Sequence, residues 1–481
     1  MKSLIKFLPV IIFAILVIVV GYDILISGMI ATFLTVLIAM IFTKKGFSEI
    51  FEIGVENTKN STVIFFVIMF AYAVAEVFLA TGVGASMINI ALSFGITAKT
   101  VALVGFLVTS ALSIATGTSW GTFAACAPVF LWLNYIVGGN LLLTLGSIAG
   151  GCCFGDNLGL ISDTTVLSSG FQGVKVVDRV RHQGVWSLGC FLLSAIIIFL
   201  MSLGLPGESR NAMEAINSIS PEAWAALEEQ RPVAVTLLEQ VKEGVPYYMA
   251  LPVVIVVAMA FKGIHTMACL GSGILSALIL GSIAGTIPDL DTFFNTYIFD
   301  GMAGAGSWAI ILIMWITAFA GIMKYMKAFD PIYSLILRIS KKVRHLMTCN
   351  ALLCIFVNVV FADELSEIAT TGPILREMVE ENIEGSEKDI YTLKLRSATY
   401  ADALGVFGSQ FIPWHAFIVF FLSIANSVYP LHEFVPFDFV RYNFLAIIAV
   451  VSLIVLTFTG LDRFIPLMKI PSEPDVRLKR K

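Results

Sequence analysis

Charge is what this sequence has least of. Only 13% of its 481 residues are Asp, Glu, Lys or Arg, about half the roughly 25% of an ordinary soluble domain, so the usual solvated surface is missing. The 30 basic and 34 acidic residues leave a net charge of −4. No Lys/Arg block long enough to follow a phosphate backbone occurs away from the C-terminus, and nucleic acid is not expected as a partner. The chain also lacks a His-Glu-x-x-His motif, a Cys–His pairing at metal spacing, a Gly-rich phosphate loop and a soluble catalytic domain. Enzymatic chemistry and ATP-driven pumping are therefore not expected, nor is any cofactor beyond transported ions. The seven cysteines, Cys126, Cys152, Cys153, Cys190, Cys269, Cys349 and Cys354, are odd in number and all lie in apolar runs. No disulfide framework is expected. The adjacent Cys152 and Cys153 read as small residues for close helix packing.

What is abundant is apolar: 58% of residues are hydrophobic and the mean hydropathy is +0.90. Uncharged or nearly uncharged runs fall at 4–20, 24–42, 61–80, 84–116, 120–155, 184–206, 246–261, 264–288, 307–323, 346–362, 403–431 and 442–461. A span needs about 20 residues. Runs 84–116, 120–155 and 403–431 are too long for one span and are interrupted by Gly, Ser, Thr and Pro, as broken helices or re-entrant hairpins would be. The expectation is an all-α polytopic membrane protein with about ten transmembrane helices. Lys2 and Lys6 precede the first run as in a signal peptide, but Val19-Val20-Gly21-Tyr22-Asp23 is a poor cleavage site, so the first span is read as retained.

Positive residues give the orientation. Lys2, Lys6, Lys44, Lys45, Lys59, Lys175, Arg179 and Arg181 belong inside, and the acidic stretch 207–245 then lies outside. In the second half Lys262, the Lys324 to Arg344 segment and the tail from Arg463 lie inside, while the Asp289, Asp291 and Asp300 loop lies outside. The halves thus have opposite topology: 1–206 as a first membrane repeat, 207–245 as an external acidic linker, 246–461 as a second, inverted repeat and 462–481 as a basic cytoplasmic tail. A shift of 246 residues brings GDNLG (155–159) onto ADALG (401–405), Ser61 onto Ser307 and Phe47 onto Phe293, while Pro128 and Pro373 match within one residue. Such repeats with interrupted helices are how many secondary transporters are built, with the site between them at the bilayer midplane.

The densest polar clusters in apolar surroundings are Thr116-Gly117-Thr118-Ser119-Trp120-Gly121-Thr122 and, further on, Gly155-Asp156-Asn157 with Ser162-Asp163-Thr164-Thr165. Small hydroxyl residues let a helix unwind in lipid, exposing carbonyls while Ser and Thr oxygens replace the lost backbone bonds. Such hard oxygens suit Na⁺. Neither stretch contains a basic residue. An unpaired intramembrane carboxylate costs from about 2.5 to over 10 kcal/mol, so Asp156 and Asp163 should hold a cation or a proton in turn, the alternative being that they only cap half-helix N-termini. The second half supplies Asp363, Glu364 and Glu367, with Thr370 and Thr371 beyond, then Asp402 as the repeat mate of Asp156. Asp363 and Glu367, four apart, share a helix face where like charges repel. Glu364 and Glu367 belong either to the site or to a solvated interface formed by the charged 364–396 segment. Glu76 is a further intramembrane acid with no basic residue in its own span. His415 is a pH-linked candidate and Trp120 and Trp414 are candidate packing or gating aromatics.

TGTSWGT (116–122), GDNLGLISDTT (155–165) and IPWH (412–415) resemble the signature stretches of the NhaC-type Na⁺/H⁺ antiporter family. The resemblance spans most of the chain, and its most specific element is the GD-to-SDTT segment. It implies a Na⁺/H⁺ exchanger of the ion-transporter superfamily, built from inverted repeats with re-entrant hairpins, in the cytoplasmic membrane of a prokaryote. It implicates Asp156, Ser162, Asp163, Thr164, Thr165, the hydroxyls of 116–122 and the IPWH turn. Members commonly have Lys after Gly-Asp, Ser-Pro before the second acidic motif, and IPWN; here Asn157, Gly159-Leu160 and His415 stand there. The alternative is a Na⁺-coupled or exchange carrier of an amino acid or small organic acid, its carboxylate held at half-helix N-termini. The scarcity of Arg, Lys and His in the central segments speaks against a dicarboxylate. The expected partners are the lipid bilayer, Na⁺, H⁺ and, in the alternative, an organic solute; a homodimer is compatible with the fold.

Overall fold

The computed structural model describes residues 4–479 apart from Ser61, Ile161, Ser209, Arg210, Gly263 and Trp308. The expected match of Ser61 with Ser307 lies outside the described residues, as does the side chain of Thr116. The chain is helical almost throughout, with one antiparallel pairing of Ile383–Glu384 with Arg477–Leu478. Seven described helical stretches are long and apolar enough to cross a membrane, and two bent pairs raise the number to nine. The three overlong runs are interrupted as their Gly, Pro and hydroxyl content requires.

The first half runs α1 (Ile24–Thr43), α2 (Phe47–Asn60), α3 (Thr62–Ala80), α4 (Val83–Ser93), α5 (Val101–Thr116), α6 (Ser119–Val137), α7 (Leu141–Leu158), α8 (Asp163–Gln172) and α9 (Val176–Ser202). The stretch read as a linker folds into short helices, including α10 (Pro221–Gln230) and α11 (Pro232–Glu243). The second half contains α12 (Thr266–Ala284), a π-coiled segment Thr292–Asp300, α13 (Ala309–Tyr325), α14 (Asp330–Ile339), α15 (Val343–Phe361), α16 (Glu364–Asn382), α17 (Glu387–Ser409), α18 (Ala416–Val428) and α19 (Phe444–Thr459). The charged 364–396 segment is thus a helix, a tight turn and the start of another helix.

The two halves repeat element by element, α1 with α12 through α8 with α18. Partners are exchanged reciprocally: α3 packs on α12 and the π segment, α13 on α1 and α2, α6 on α18, and α16 on α8. This exchange fits the opposite topology read from the lysines. The hinges agree in detail. Gly117 (φ 67°) ends α5 left-handed and Thr118 (φ −144°, ψ 126°) leads into α6; Ala362 (φ 51°) ends α15 and Asp363 (φ −145°, ψ 122°) leads into α16. Glycine adopts that conformation freely, whereas for Ala362 it costs about 1–2 kcal/mol. The Ala362 carbonyl is held by Ala416 N–H at 2.9 Å. Pro128 and Pro373 sit inside the second helix of each hairpin.

The centre consists of α6, α7, α16, α17 and α18, on which nearly every residue from Phe123 to Leu133 and from Leu395 to Ser409 is buried. A helix apolar all round belongs inside, and α9, with Leu192, Ile196 and Leu200 exposed, faces lipid. Close approach is bought with glycine. A Cβ on Gly155 would fall on Ser113 of α5, and one on Gly151 would lie 2.7 Å from the Phe106 carbonyl. Cys152 and Cys153 are fully buried beside them, and Ser113 Oγ donates to the Cys152 carbonyl.

Candidate functional site

The two breaks of the first half meet. Helix α6 begins in the protein interior with backbone N–H groups that have no intrahelical acceptor. Asp156 Oδ1, from α7, accepts the Ser119 N–H at 3.1 Å, and a carboxylate there also faces the positive end of the α6 dipole. Beyond Leu158 the chain leaves the helix before α8 starts. Thr164 Oγ1 (3.3 Å) and Thr165 Oγ1 (2.8 Å) donate to the Asp156 carbonyl, and Ser162 Oγ lies 3.0 Å from Thr164 Oγ1. Hydroxyls thus replace the backbone bonds that the break gives up.

Asp156 opens onto a cavity of about 590 Å³. Gly117, Thr118, Trp120, Ser162, Asp163 and Thr164 line it from the first half, and Asp363, Glu364, His415 and Phe417 from the second. Leu365 and Ala416 also line it, and the remaining wall is Val63 and Val67 of α3 with Ile264, His265 and Thr266 at the start of α12. Asp163 is exposed at the first turn of α8, whereas Asp156, Asp363 and Glu364 are at most 5% exposed. Asp363 Oδ2 accepts the Ser366 N–H at 2.9 Å, capping α16 while lining the cavity.

Glu364 and Glu367 are buried in the core, which excludes the solvated-interface reading. Both lie against Gly405, where an added Cβ would come within 3.1 Å of Glu367 Oε2 and 3.3 Å of Glu364 Cγ. Glu367 Oε1 accepts from Thr371 Oγ1 at 2.7 Å, while Glu364 Oε1 and Glu367 Oε2 have no hydrogen-bond partner among the described residues. Glu364 lies within electrostatic range of Asp156, Asp402, Glu367 and Asp363.

Other expected residues sit elsewhere. Asp402 is fully buried but absent from the cavity wall; it forms an ion pair with Arg179 of α9 and accepts from Asn157 Nδ2 at 3.1 Å. Arg179, expected at a cytoplasmic loop, is completely buried, and so is Arg396, which pairs with Asp462 at 3.3 Å. The central segments are therefore not as poor in fixed cations as their sequence implies, and the tail is anchored at Asp462 and Met468. Glu76 is paired with Arg231 of the 207–245 stretch at 2.9 Å, away from the cavity; the partner missing from its own helix comes from the linker. Thr118 and Trp120 face the cavity, Trp120 packing on Phe417 and Phe420. Trp414 donates to the Val359 carbonyl at 2.9 Å and packs on Phe13.

His415 is fully buried and engaged at both ring nitrogens. Nδ1 accepts the Phe417 N–H at 3.1 Å, and Nε2 lies 2.9 Å from Asn358 Oδ1. With Nδ1 as acceptor, the proton is assigned to Nε2, which donates to Asn358. Asn358 Nδ2 in turn donates to the Gly405 carbonyl at 2.9 Å. His415 thus ties the α15–α16 hairpin to the α17–α18 break.

Glu364 was left between the site and a solvated interface, although Thr118 and Asp363 are hinge mates and Glu364 then answers Ser119; two other participants escaped the sequence reading. Arg179 gave no signal, because it follows a polar loop. Gln183, which donates to the Asn157 carbonyl (2.8 Å) and Oδ1 (3.0 Å), gave none either.

Two broken-helix hairpins closing on a cavity of buried carboxylates define a membrane carrier. The Na⁺/H⁺ antiporter family model matches residues 2–150 and 151–461, and the chain belongs to that family. It is 23% identical over 422 residues to the Na⁺/H⁺ antiporter NhaC of Alkalihalophilus pseudofirmus, covering 84% of this chain and 85% of that protein. It is 25% identical over 395 residues to the arginine/ornithine antiporter ArcD of Halobacterium salinarum, covering 77% and 72%. The solved structure of Neisseria gonorrhoeae MtrF, described as one of a class of antimetabolite efflux pumps, aligns over 86% of this chain and 85% of its own, with 12% identity and a TM-score of 0.36.

Proposed function

We propose that this protein exchanges Na⁺ for H⁺ across the cytoplasmic membrane of a prokaryote, by alternating access, with no cofactor beyond the transported ions. The observation that carries the reading is the pairing of Asp156 and Glu364 on one cavity, buried and without a basic partner among the described residues. Each must be protonated or hold a cation, since an uncompensated intramembrane carboxylate costs from about 2.5 to over 10 kcal/mol. Alternate loading of the same carboxylates couples the two ions. Asp163, Ser162, Thr164, Thr118 and Ser119 supply further oxygens for Na⁺, and Asp363 and Glu367 complete the acidic set. Membership of the family and the likeness to NhaC support this cargo.

The cavity is open toward the cytoplasm in this reading. Val63 and Ile264 of its wall come shortly after Lys59 and Lys262 in the chain, which the charge rule places inside. A second cavity of about 500 Å³, lined by Lys324, Lys327, Phe329, Thr370 and Pro373, separates α13 and α14 from α16. The repeat mates α3 and α4 are packed directly on α6. Rocking that opens the α3–α6 seam and closes the α13–α16 one would present the site outside.

A second reading, carriage of an amino acid or small organic acid, draws on the cavity volume, which far exceeds a bare Na⁺ ion. The test is purified protein in proteoliposomes with an internal pH-sensitive dye and an imposed proton gradient. Na⁺ alone dissipates the gradient if the exchange reading holds; a response only after addition of an amino acid or carboxylate would replace it with the second reading.

A further inference from the structure

Asp156 and Asp402 are repeat mates with unlike surroundings. Asp156 faces the cavity and accepts a backbone N–H. Asp402 is sealed from it and meets a guanidinium. Arg179 reaches from α9, places Nη2 on Asp402 Oδ2, and donates from Nη1 to Thr165 Oγ1 at 2.8 Å. Thr165 passes the contact on by donating to the Asp156 carbonyl. Asn157 closes the arrangement, donating to Asp402 while held by Gln183 and by Ser187 Oγ at 3.3 Å. Arg179, Asp402, Asn157, Thr165 and Gln183 are all fully buried.

A guanidinium is the one side-chain cation that keeps its charge in such a place, and its tether prevents it from leaving. Its fork serves two acceptors at once, on α17 and α8, and so ties the broken helix of one repeat to the other. We propose that Arg179 is a built-in cation standing where a transported ion would otherwise sit at the second repeat's aspartate, so that Asp402 exchanges neither cation nor proton during the cycle. Arg179 is then a positioning residue: it fixes the break that presents Asp156 and sets the charge the carrier moves per Na⁺. The inference rests on the exchange reading above and assigns a residue to its stoichiometry.

The experiment compares full-length wild type, D402N, R179Q, R179Q/D402N and R179K in proteoliposomes, recording Na⁺-driven proton flux, half-saturating Na⁺, and charge moved per ²²Na⁺. A wild type that does not exchange Na⁺ for H⁺ would defeat the reading beneath the proposal before any variant is compared. Given an active wild type, each neutralising single substitution strands one buried charge and is expected to slow exchange at least tenfold. The double variant, with a neutral amide pair, is expected to recover to within about threefold of wild type, at unchanged half-saturating Na⁺ and charge per Na⁺. A monodisperse double variant as inactive as D402N, or one with altered charge per Na⁺, would show that Asp402 carries an ion and overturn the proposal. If the double variant does not fold, the residual flux of D402N decides: wild-type charge per Na⁺ supports an aspartate that carries no ion, and a changed charge per Na⁺ refutes it, while R179K, which loses the fork to Thr165 and Asp402, is expected to be slowed as R179Q is.

Discussion

Glu76→Gln tests how the site is closed on the linker side. Arg231 joins three parts of the molecule, since it lies in the 207–245 stretch, pairs with Glu76 of α3 at 2.9 Å and donates to Ser427 Oγ of α18 at 3.1 Å. The Arg231 and Glu76 side chains are 22% and 10% exposed. A fully exposed pair contributes about 0–1 kcal/mol, whereas removing one partner of a buried pair costs about 3–5 kcal/mol. This half-sheltered pair belongs between, at about 1–3 kcal/mol. The bond exists in the conformation closed on that side, so its loss weakens that conformation against the open one. At about 1.4 kcal/mol per decade, the population ratio shifts by about 5- to 150-fold. The assay is labelling of a Ser427→Cys variant in whole cells by a membrane-impermeant maleimide. Glu76→Gln is expected to speed labelling at least fivefold. Labelling at an unchanged rate, with the protein folded and inserted, would refute the latch.

Asp156→Asn keeps the acceptor for Ser119 N–H but not the charge, so the protein is expected to fold while Na⁺-driven proton flux falls to background; retained flux would remove Asp156 from the site. Glu364→Gln is expected to abolish proton coupling in the same assay, while Asp163→Asn, at the exposed rim, raises half-saturating Na⁺ and leaves turnover measurable. Saturating Na⁺ is expected to stabilise the wild type against thermal unfolding, by about 2.7 kcal/mol at a hundredfold excess over Kd, and Asp156→Asn should erase that shift. Gly155→Val drives a side chain into Ser113 and is expected to cost 1–3 kcal/mol or more, read as a lower unfolding temperature in both the presence and absence of Na⁺.

Most of the architecture was legible because lipid imposes simple rules. Long apolar runs became helices, and overlong ones broke where Gly95, Gly138 and the Ser409–His415 stretch permit. The aspartate–hydroxyl cluster was legible too, since nothing but a site or a cap tolerates it at that depth. Illegible were the contacts between distant segments. Whether Asp402 loads an ion or is locked depends on an arginine 223 positions earlier in the chain. Whether Glu76 is free depends on a linker arginine that sequence assigns to solvent. Glu364 and Glu367 stand at the head of a charged helix, and only the packing of α16 on α17 reveals their burial against Gly405.

The central claim is that Na⁺ and H⁺ share the same carboxylates, and the direct measurement is proton release when Na⁺ is added to purified, weakly buffered protein. At least one proton released per Na⁺ bound, lost in both Asp156→Asn and Glu364→Gln, is the predicted result; saturable Na⁺ binding with no proton released would contradict it.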